Sequence, residues 1–516
     1  MKVYTGASIR RIENACFASG ITELRLMENA GVACAKVIRK SYALEENKGK
    51  NIVILCGKGK NGGDGFVIAR KLYEIGAVPT IVLTHGLPTI AEPVRMLERA
   101  KELEIRVLDF DAQQRLCENF IADADIVVDC IFGIGYHGSA DEKTKGIFKA
   151  VNASPAATVS VDVPSGLDSE GLDFEPEHIR ADLTVTISAF KPVHIHDATA
   201  ASCGNVVAVS INIDKAFFDA ERPVAEITDG RTVKACMPKR ADDANKGSFG
   251  HLLMLCGSYQ MPGAAVFAAK AAERSGVGKI TLAFPECAYP AITSKLNEPL
   301  FLPLENDEEG FFAVGARAKV IAALEDKSAV LVGCGLGKSL GSLAVLETVM
   351  KRRKGVVLVD ADGINLLSEN IYLLEEREEP TVLTPHLGEF ARLIGKPIED
   401  IKANRTLYAS AFSETFPHTV LVLKGKNTII ACKGKLLYIN PTGNAGLSQG
   451  GTGDVLAGLT AGFLAQGLGT LESAVAAAYI HGEAGDLCAA EFSQRGMTVD
   501  DLVRFIPDSL KKYCWE

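Results

Sequence analysis

Short apolar runs alternate with longer stretches of helical periodicity in the first part of the chain. The runs are apolar throughout, which is the pattern of parallel strands covered on both faces. A doubly wound parallel sheet is therefore predicted. The predicted strands are NIVILCG from Asn51, PTIVLTH from Pro79, IRVLDF from Ile105, DIVVDCIFG from Asp125, ATVSVDVPSG from Ala157, DLTVTIS from Asp182 and, as an edge strand, GNVVAVSI from Gly204.

A second α/β series follows a stretch without this pattern, from about Asp214 to Arg240. We interpret that stretch as a connection between two domains, residues 1–215 and 225–516, which suits the length of 516 residues. Two Ala-rich helices are predicted after Asp454. The predicted strands are GHLLMLCG from Gly250, KITLAF from Lys279, AVLVGCGLG from Ala329, VVLVDADG from Val356, TVLVLKG from Thr419, and a hairpin of NTIIACKG and KLLYIN.

Composition narrows the class of protein. The chain is 47% hydrophobic and 23% charged, which excludes collagen, a long coiled coil and wholesale disorder. The net charge of −9 argues against a nucleic-acid partner held by bulk positive charge. Neither a secretory signal nor an apolar run of membrane-spanning length is present, so a cytoplasmic protein without a membrane partner is expected. The thirteen cysteines lack paired spacing and are interpreted as reduced, mostly buried thiols.

A glycine-rich loop joins the first predicted strand to a helix. Gly57, Gly59 and Gly62 have the spacing GxGxxG. Free backbone N–H groups in such a loop and the positive end of the helix attract phosphates. The second strand ends at Thr84 without the acidic residue that usually holds a ribose. The loop therefore indicates an anionic ligand, and a tight turn without a ligand is the alternative.

Two aspartates lie at the ends of other predicted strands, Asp129 in VVDC and Asp162 in VSVDV. Because the carboxyl ends of parallel strands share one edge of a sheet, both are expected to lie near Asn61, Asp64 and Ser165. Oxygen-bearing side chains of this kind suit a hard cation and a polar ligand. A helix N-cap or an Asx-turn is the alternative for each aspartate.

The motifs LMENAG, NGGDG, VDCIFGIGYHG and VDVPSGLDSEG resemble the YjeF N-terminal family, the NAD(P)HX epimerases, over about residues 1–215. The resemblance implies a Rossmann-like fold and a potassium ion held by Asn61, Asp129 and Ser165. We interpret Asp162 as the acid–base group, because epimerisation at a hydroxylated ring carbon needs reversible proton transfer. The implied substrate contacts are Lys60, Asn61, Gly62, Gly63, Asp64, Gly133, Ile134, Gly135, Tyr136, His137, Gly138, Ser139 and Asp162.

Two positions depart from the pattern of that family. Lys60 stands where many relatives have asparagine, and His137 stands where some have lysine. No proton-transfer role is assigned to His137.

Glycine clusters also mark the second half. Residues 333–339 read GCGLGKS, but an ordinary P-loop needs glycine where the chain has Val332, so a P-loop NTPase is excluded. Residues 450–453 precede a predicted helix, and their N–H groups are expected to face an anion. Asp454 at that helix start would accept a proton from a hydroxyl that attacks a phosphoryl group. A plain N-cap is the alternative for Asp454.

GGTGDVLAG is similar to the anion-hole motif of the ribokinase-like superfamily. With VGCGLG, VDADGINLL, TPHLGE and VLKGKNT it resembles the YjeF C-terminal family, the ADP-dependent NAD(P)HX dehydratases, from about residue 225 onward. Asn245 departs from the pattern, because relatives often have histidine there. The implied substrate contacts are Ala264, Gly335, His386 and Asp454, and the implied nucleotide contacts are Lys424, Gly425, Lys426, Asn427, Thr428 and Gly453.

Together the two resemblances imply a bifunctional enzyme that repairs hydrated NADH and NADPH. The first domain would interconvert the R and S epimers, and the second would dehydrate the S epimer with ADP and Mg²⁺, leaving AMP and phosphate. A homo-oligomer is expected. The alternative is a ribokinase-like small-molecule kinase with a non-catalytic scaffold as its first domain, which predicts a stable phosphorylated product.

Overall fold

The computed structural model describes residues 1–46, 49–172, 174–241 and 243–513. The chain divides into two units, Met1–Ala225 and Glu226–Glu516. Of the helices described, none combines the length and the apolar character needed to cross a membrane. The twelve described cysteines are free, and nine of them are buried; Cys514 lies outside the described residues.

The first unit contains a seven-stranded sheet in the order β4-β3-β2-β5-β6-β7-β8, and every pairing is parallel. Its strands are β2 (Asn51–Cys56), β3 (Val78–Leu83), β4 (Arg106–Asp109), β5 (Ile126–Cys130), β6 (Ala157–Val161), β7 (Leu183–Ile187) and β8 (Asn205–Val209), and the short strand β1 (Lys2–Val3) lies outside this sheet. Its helices are α1 (Gly6–Ala18), α2 (Glu23–Ser41), α3 (Lys60–Tyr73), α4 (Ala91–Glu102), α5 (Phe110–Ala122), α6 (Glu142–Ala153), α7 (Asp197–Ala200) and α8 (Lys215–Asp219).

The strand order of this sheet reverses between β2 and β5. Ligands of doubly wound sheets bind in the crevice at such a reversal, beyond the carboxyl ends of the strands. The loop after β2 is tight here, because a Cβ on Gly57 would clash with the carbonyl oxygen of Ile131, which follows β5. The two loops that border the crevice therefore touch at a glycine.

In the second unit the strands follow the order β9-β18-β17-β16-β15-β14-β13-β10-β11-β12. Pairing is parallel from β16 to β12, and β17 and β18 are the predicted antiparallel hairpin. The strands are β9 (Ala225–Ile227), β10 (His251–Leu255), β11 (Lys279–Pro285), β12 (Leu300–Leu304), β13 (Ala329–Val332), β14 (Val357–Val359), β15 (Thr381–Leu383), β16 (Thr419–Leu423), β17 (Thr428–Ala431) and β18 (Leu437–Asn440).

Helices pack on both sides of this sheet. The Ala-rich pair predicted after Asp454 is present as two helices, and with the helix of small residues from Pro262 they enclose the largest apolar core. The helices are α9 (Gly230–Cys236), α10 (Pro262–Arg274), α11 (Tyr289–Thr293), α12 (Arg317–Ala323), α13 (Leu340–Arg352), α14 (Asp362–Glu369), α15 (Tyr372–Glu375), α16 (Leu387–Ile394), α17 (Ile398–Ala403), α18 (Arg405–Thr415), α19 (Thr452–Ala465), α20 (Thr470–Gly496) and α21 (Val499–Tyr513).

The predicted α/β class is confirmed, and every predicted run contains a strand. The stretch from Asp214 to Arg240 is more ordered than a plain connection, since it contains α8, β9 and α9. Strands β1, β12 and β15 were not expected. β1 has two residues, β12 contains Pro303 and β15 has three residues, so none has the sustained apolar run on which the prediction rests.

Candidate active sites

The crevice of the first unit is a cavity of about 810 Å³. Its walls are α1, the loops after β2 and β5, and the residues that follow β6 and β7. Among the predicted substrate residues, the cavity is lined by Lys60, Asn61, Asp64, Gly133, Ile134, Gly135, Tyr136, His137 and Asp162. Of the described residues in that set, Gly62, Gly63, Gly138 and Ser139 are not in its lining.

Asp162 is held by a buried lysine that the sequence analysis did not single out. The Lys191 ammonium is fully buried and bonds to Oδ1 of Asp162. Lys191 Nζ also donates to Thr186 Oγ1 at 2.8 Å, and the Ile187 N–H donates to Asp162 Oδ1 at 3.1 Å. The backbone of Asp162 lies in the left-handed region, with φ of 71°. The carboxyl is thus fixed by charge and by hydrogen bonds.

This pairing decides the charge of Asp162. Burial alone would raise the pKa of Asp162, but the Lys191 ammonium, its hydrogen bond and the Ile187 N–H outweigh burial and hold that pKa below its usual value. His194 accepts from the Lys191 N–H at 3.0 Å, and its Nε2 contacts the Asp162 carbonyl oxygen at 3.0 Å. Burial and then Lys191 lower the pKa of His194 to about 3, so the imidazole is neutral.

Two further carboxyls line the same cavity, those of Glu13 and Asp64. Asp64 is buried, and burial, followed by the charges of Asp162 and Glu13, raises its pKa well above the usual value. Burial and then the charge of Asp162 also raise the pKa of Glu13. The cavity therefore holds the Asp162 carboxyl, with a lowered pKa, beside the Asp64 and Glu13 carboxyls, with raised pKa values. Such a difference in pKa allows one group to act as a base and another as an acid.

The predicted metal ligands Asn61, Asp129 and Ser165 do meet. Ser165 Oγ donates to Asp129 Oδ1 at 2.6 Å, and the Ser165 N–H donates to Oδ2 at 2.8 Å. Asn61 Nδ2 donates at 2.8 Å to the carbonyl oxygen of Phe132, whose own N–H donates to Ser165 Oγ at 2.9 Å. Burial raises the pKa of Asp129 against four hydrogen bonds, which come from the hydroxyls of Ser165 and Ser160 and the N–H groups of Ser165 and Ile131.

In the second unit, five side chains lie just beyond the ends of neighbouring strands, four of them directly after the strand and Cys334 one residue further on. They form a row across the carboxyl edge of the sheet, in the order Lys424, Thr384, Asp360, Cys334 and Cys256, after β16, β15, β14, β13 and β10. Asp360 Oδ1 accepts from Thr384 Oγ1 at 2.7 Å and from Lys424 Nζ at 3.0 Å. Burial alone would lower the pKa of Lys424, but Asp360 and then Glu389 outweigh burial and raise it.

Asp454 reaches this row from the first turn of α19. Its carboxyl, the Asp360 carboxyl and the Cys334 thiol offer ligand atoms that all lie within 4.8 Å of one another. Burial, and next the charge of Asp360, raise the pKa of Asp454 to about 7, against a hydrogen bond from Cys334 and the charge of Lys424. A base with a pKa near neutrality is suited to proton transfer at neutral pH.

A cavity of about 600 Å³ opens beside Lys424. Gly453 lies close to Lys424 there, since a Cβ on Gly453 would come 3.3 Å from the Lys424 ammonium. The predicted nucleotide residues all lie in its lining: Lys424, Gly425, Lys426, Asn427, Thr428 and Gly453.

The predicted substrate residues of the second unit share this edge of the sheet. Gly335, with φ of 62°, packs against Ala264, and a Cβ there would come 2.8 Å from the Ala264 Cβ. His386 caps α16, and its Nδ1 accepts from the Gly388 N–H at 2.9 Å. Burial lowers the pKa of His386, so a neutral ring with a proton on Nε2 fits this bond.

Sequence reasoning missed the groups that set the charge of both aspartates. Lys191 and Glu13 lie far from Asp162 along the chain. The available sequence signal was the position of Lys191 within the apolar stretch AFKPVHI, which indicates a buried lysine. Asp360 had a clearer signal, since it follows the apolar run VVLV directly. Each unit thus places an aspartate and a lysine at the carboxyl edge of a parallel sheet, an arrangement that favours an enzyme with a site in each unit.

Comparison with known proteins matches one family model in each half of the chain. A family model described as "YjeF-related protein N-terminus" matches residues 23–193, and one described as "NAD(P)H-hydrate dehydratase" matches residues 252–508. A protein of Coxiella burnetii named bifunctional NAD(P)H-hydrate repair enzyme Nnr is 33% identical over 503 residues, which cover 97% of each chain. The chain belongs to the family of bifunctional NAD(P)H-hydrate repair enzymes.

Solved structures match the second unit. A ribokinase-like superfamily protein from Enterococcus faecalis has a TM-score of 0.50 at 25% identity and covers 57% of this chain and 97% of its own. An ADP/ATP-dependent NAD(P)H-hydrate dehydratase from Bacillus subtilis, co-crystallised with ATP and Mg²⁺, is 31% identical with a TM-score of 0.49, covering 56% of this chain and 99% of its own. The predicted ribokinase-like fold of the second half is confirmed.

Proposed function

We propose that residues 1–215 interconvert the R and S forms of hydrated NADH and NADPH, and that residues 225–516 dehydrate the S form with ADP. The products are NAD(P)H, AMP and phosphate. The family supports both activities. The observation that carries the proposal is the half-buried Asp454, which lies at the start of α19 beside Lys424 and Asp360 and has a pKa of about 7.

The second site would convert a poor leaving group into a good one. The oxygen of the ring hydroxyl attacks the β-phosphorus of ADP while Asp454 accepts the hydroxyl proton. The bond between the β-phosphorus and the oxygen of AMP breaks, and AMP leaves. The N–H groups at the start of α19 and the Lys424 ammonium stabilise the charge on the transferred group. The ring carbon–oxygen bond then breaks, phosphate leaves, and the adjacent ring carbon loses a proton to restore the double bond.

Nucleotide and magnesium would occupy the cavity beside Lys424. Residues 424–428 and Gly453 line this cavity. They supply backbone N–H groups and two lysines that would bind the phosphates of the nucleotide. Mg²⁺ takes oxygen ligands, usually phosphates with one or two carboxylates. The Asp360 carboxyl would fit that requirement and leave Asp454 to accept the proton, and the ion would neutralise phosphate charge.

In the first site, Asp162 would act as the base and Asp64 as the acid. A protonated Asp64 gives its proton to the ring hydroxyl, the carbon–oxygen bond breaks with electron supply from the ring nitrogen, and water leaves. Water then adds to the other face of the ring carbon and loses a proton to the Asp162 carboxylate. Lys191 keeps that carboxylate ionised, and reversal of both roles drives the opposite direction.

Potassium would bind at Asn61, Asp129 and Ser165. Their carboxylate, amide and hydroxyl oxygens, with the nearby Phe132 carbonyl, form an oxygen donor set. A cation fits because the buried Asp129 lacks a positive partner among the described residues. The ion would hold the loop after β5 beside the substrate.

The remaining assignments concern the cell and the partners. A cytoplasmic enzyme that binds NADHX, NADPHX and ADP, and neither nucleic acid nor membrane, agrees with the free thiols and the net charge of −9. The homo-oligomer stays a prediction, supported by helices rich in small residues.

The test uses the whole chain with mixed epimers of hydrated NADH, and the absorbance of NADH as the signal. Complete conversion with ADP and Mg²⁺ is expected. Conversion that stops near half would mean that the first site is inactive, and a stable phosphorylated product without NADH would identify a kinase instead.

A further inference from the structure

Two buried thiols lie beside the catalytic carboxyls and have no part in the chemistry proposed above. Cys256 and Cys334 follow the adjacent strands β10 and β13, at the point where the strand order of the second sheet reverses. Both are fully buried. Cys334 also contacts the carboxyls of Asp360 and Asp454.

The geometry of these groups is that of a site for a soft divalent metal. Cys334 Sγ lies 3.7 Å from Asp360 Oδ2. Zinc bond lengths of about 2.3 Å to sulfur and about 2.1 Å to oxygen, at a tetrahedral angle, place those two ligand atoms about 3.6 Å apart. The third ligand atom, on Asp454, lies within 4.8 Å of both.

The hydrogen bonds leave the required atoms available. Asp360 uses Oδ1 for Thr384 and Lys424, and its Oδ2 faces Cys334. A metal can therefore bind Oδ2 without breaking the ion pair with Lys424. Asp454 is only half-buried and opens the site to solvent, whereas Asp360 is 1% exposed and Cys334 is fully buried.

The charges of the ligands would also be offset. A zinc ion deprotonates the thiol that coordinates it. The ion and the Lys424 ammonium would offset the charges of two carboxylates and one thiolate, although Lys424 also lies 3.9 Å from the Glu389 carboxyl.

We propose that Cys334, Asp360 and Asp454 bind Zn²⁺ or a similar soft divalent ion, and that this ion switches the dehydratase site off. Three protein ligands leave the fourth position to water. The bound ion occupies the Asp454 oxygen that would accept the substrate proton, so metal and catalysis exclude each other. The inhibitory part rests on the proposed function, whereas the binding part does not.

Binding is tested on the full-length chain with Co²⁺ alone, whose bond to a thiolate gives an intense near-ultraviolet band. Wild type and Cys432→Ser, a control at a half-buried cysteine after β17, are expected to show the band. Cys334→Ser is expected to lose it, and Cys334→Ala serves as a second variant if serine disturbs the fold. A band that persists in both Cys334 variants would overturn the site.

Inhibition is tested by buffered Zn²⁺ in the ADP-dependent assay with excess Mg²⁺, each variant being compared with its own metal-free rate. Cys334→Ser is expected to need at least tenfold more Zn²⁺ for half inhibition than wild type and Cys432→Ser. Equal inhibition of all three would show that zinc acts elsewhere, for example on the nucleotide. If wild type shows no dehydration at all, the proposed function fails, while the cobalt band still decides the metal site.

Discussion

The two units use the same pair of residue types, a lysine and aspartates at the carboxyl edge of a parallel sheet, with opposite results. In the first unit Lys191 bonds to Asp162 itself, and the pKa of that aspartate falls. In the second unit Lys424 bonds to the neighbouring Asp360, and the pKa of Asp454 rises to about 7. The proton affinity of each aspartate therefore depends on which carboxyl the lysine bonds to, and not on burial alone.

This difference suits the two proposed reactions. Epimerisation needs an acid and a base together, and an Asp162 with a lowered pKa beside an Asp64 with a raised pKa would supply both. Phosphoryl transfer needs a group that takes up a proton and later releases it, and a pKa near neutrality serves that task. Four substitutions test the comparison.

The largest effect is expected for Asp454→Asn. The amide has the size of the acid but cannot accept the hydroxyl proton, so ADP-dependent formation of NADH should fall by about 10³-fold or more. The epimer ratio, followed by chromatography in the same sample, should still reach equilibrium at the wild-type rate. Loss of both activities would show that Asp454 supports the fold of the chain and is no local base.

Lys191→Met is expected to affect the first unit alone. A buried carboxylate left without its cation typically costs about 3–5 kcal/mol, and among the described residues the Asp162 carboxyl keeps the bonds from Thr186 and the Ile187 N–H. Epimerisation should slow by about 10²-fold as Asp162 takes up a proton. Hydrogen exchange of the amides in β6 and β7 should become faster, while dehydration of pure S epimer is unchanged.

The double variant Lys191→Met with Asp162→Asn separates charge from packing. Removing both charges should restore most of the amide protection and none of the epimerisation. If protection stays as low as in Lys191→Met alone, the lysine acts through its packing and the electrostatic explanation is wrong.

Sequence patterns predicted the strands well because each parallel strand is apolar on both faces. They also predicted which loops meet, since the carboxyl ends of parallel strands share one edge; Asn61, Asp129 and Ser165 do lie in one bonded network. These inferences need only local composition and the direction of each strand.

The charge state of each aspartate was not predictable in the same way. It depends on which acceptor a lysine reaches, and Lys191 lies 29 residues from Asp162 whereas Lys424 lies 64 residues from Asp360. The sequence pattern can place both lysines after strands, near the edge of a sheet. It does not give the distances from each lysine Nζ to the neighbouring carboxyls, and these distances decide which carboxyl the lysine bonds to. The pattern also did not predict that the His386 ring caps α16.

Asp360→Asn should shift the pH dependence of dehydration. It removes the charge that raises the pKa of Asp454 and frees Lys424, and both changes lower that pKa, by about 1 unit. Asp454 is active when deprotonated, so wild type loses activity as the pH falls through about 7 and the variant loses it at lower pH. The measurement is kcat/KM for the S epimer as a function of pH.

Asp362→Asn is the matched control for that profile. Asp362 makes a smaller contribution to the pKa of Asp454 and accepts the Gly337 N–H at 2.9 Å. A smaller shift in the same direction is expected. An acid limb that stays in place in Asp360→Asn would mean that another group controls the profile.

The smallest effect is expected for Gly453→Ala, which tests how closely the nucleotide approaches the start of α19. The new Cβ would come 3.3 Å from the Lys424 ammonium, the mobile end of a side chain, so the fold should adjust, and alanine favours the helix by up to about 1 kcal/mol. If phosphate binds between Lys424 and that N–H, the KM for ADP should rise about threefold to tenfold with kcat nearly unchanged. Gly450→Ala is the control, because a Cβ there meets open space and residue 450 is outside the cavity lining. Equal KM values for the two variants would place the nucleotide away from α19, and the aspartate of the second unit would then need a different phosphoryl donor site.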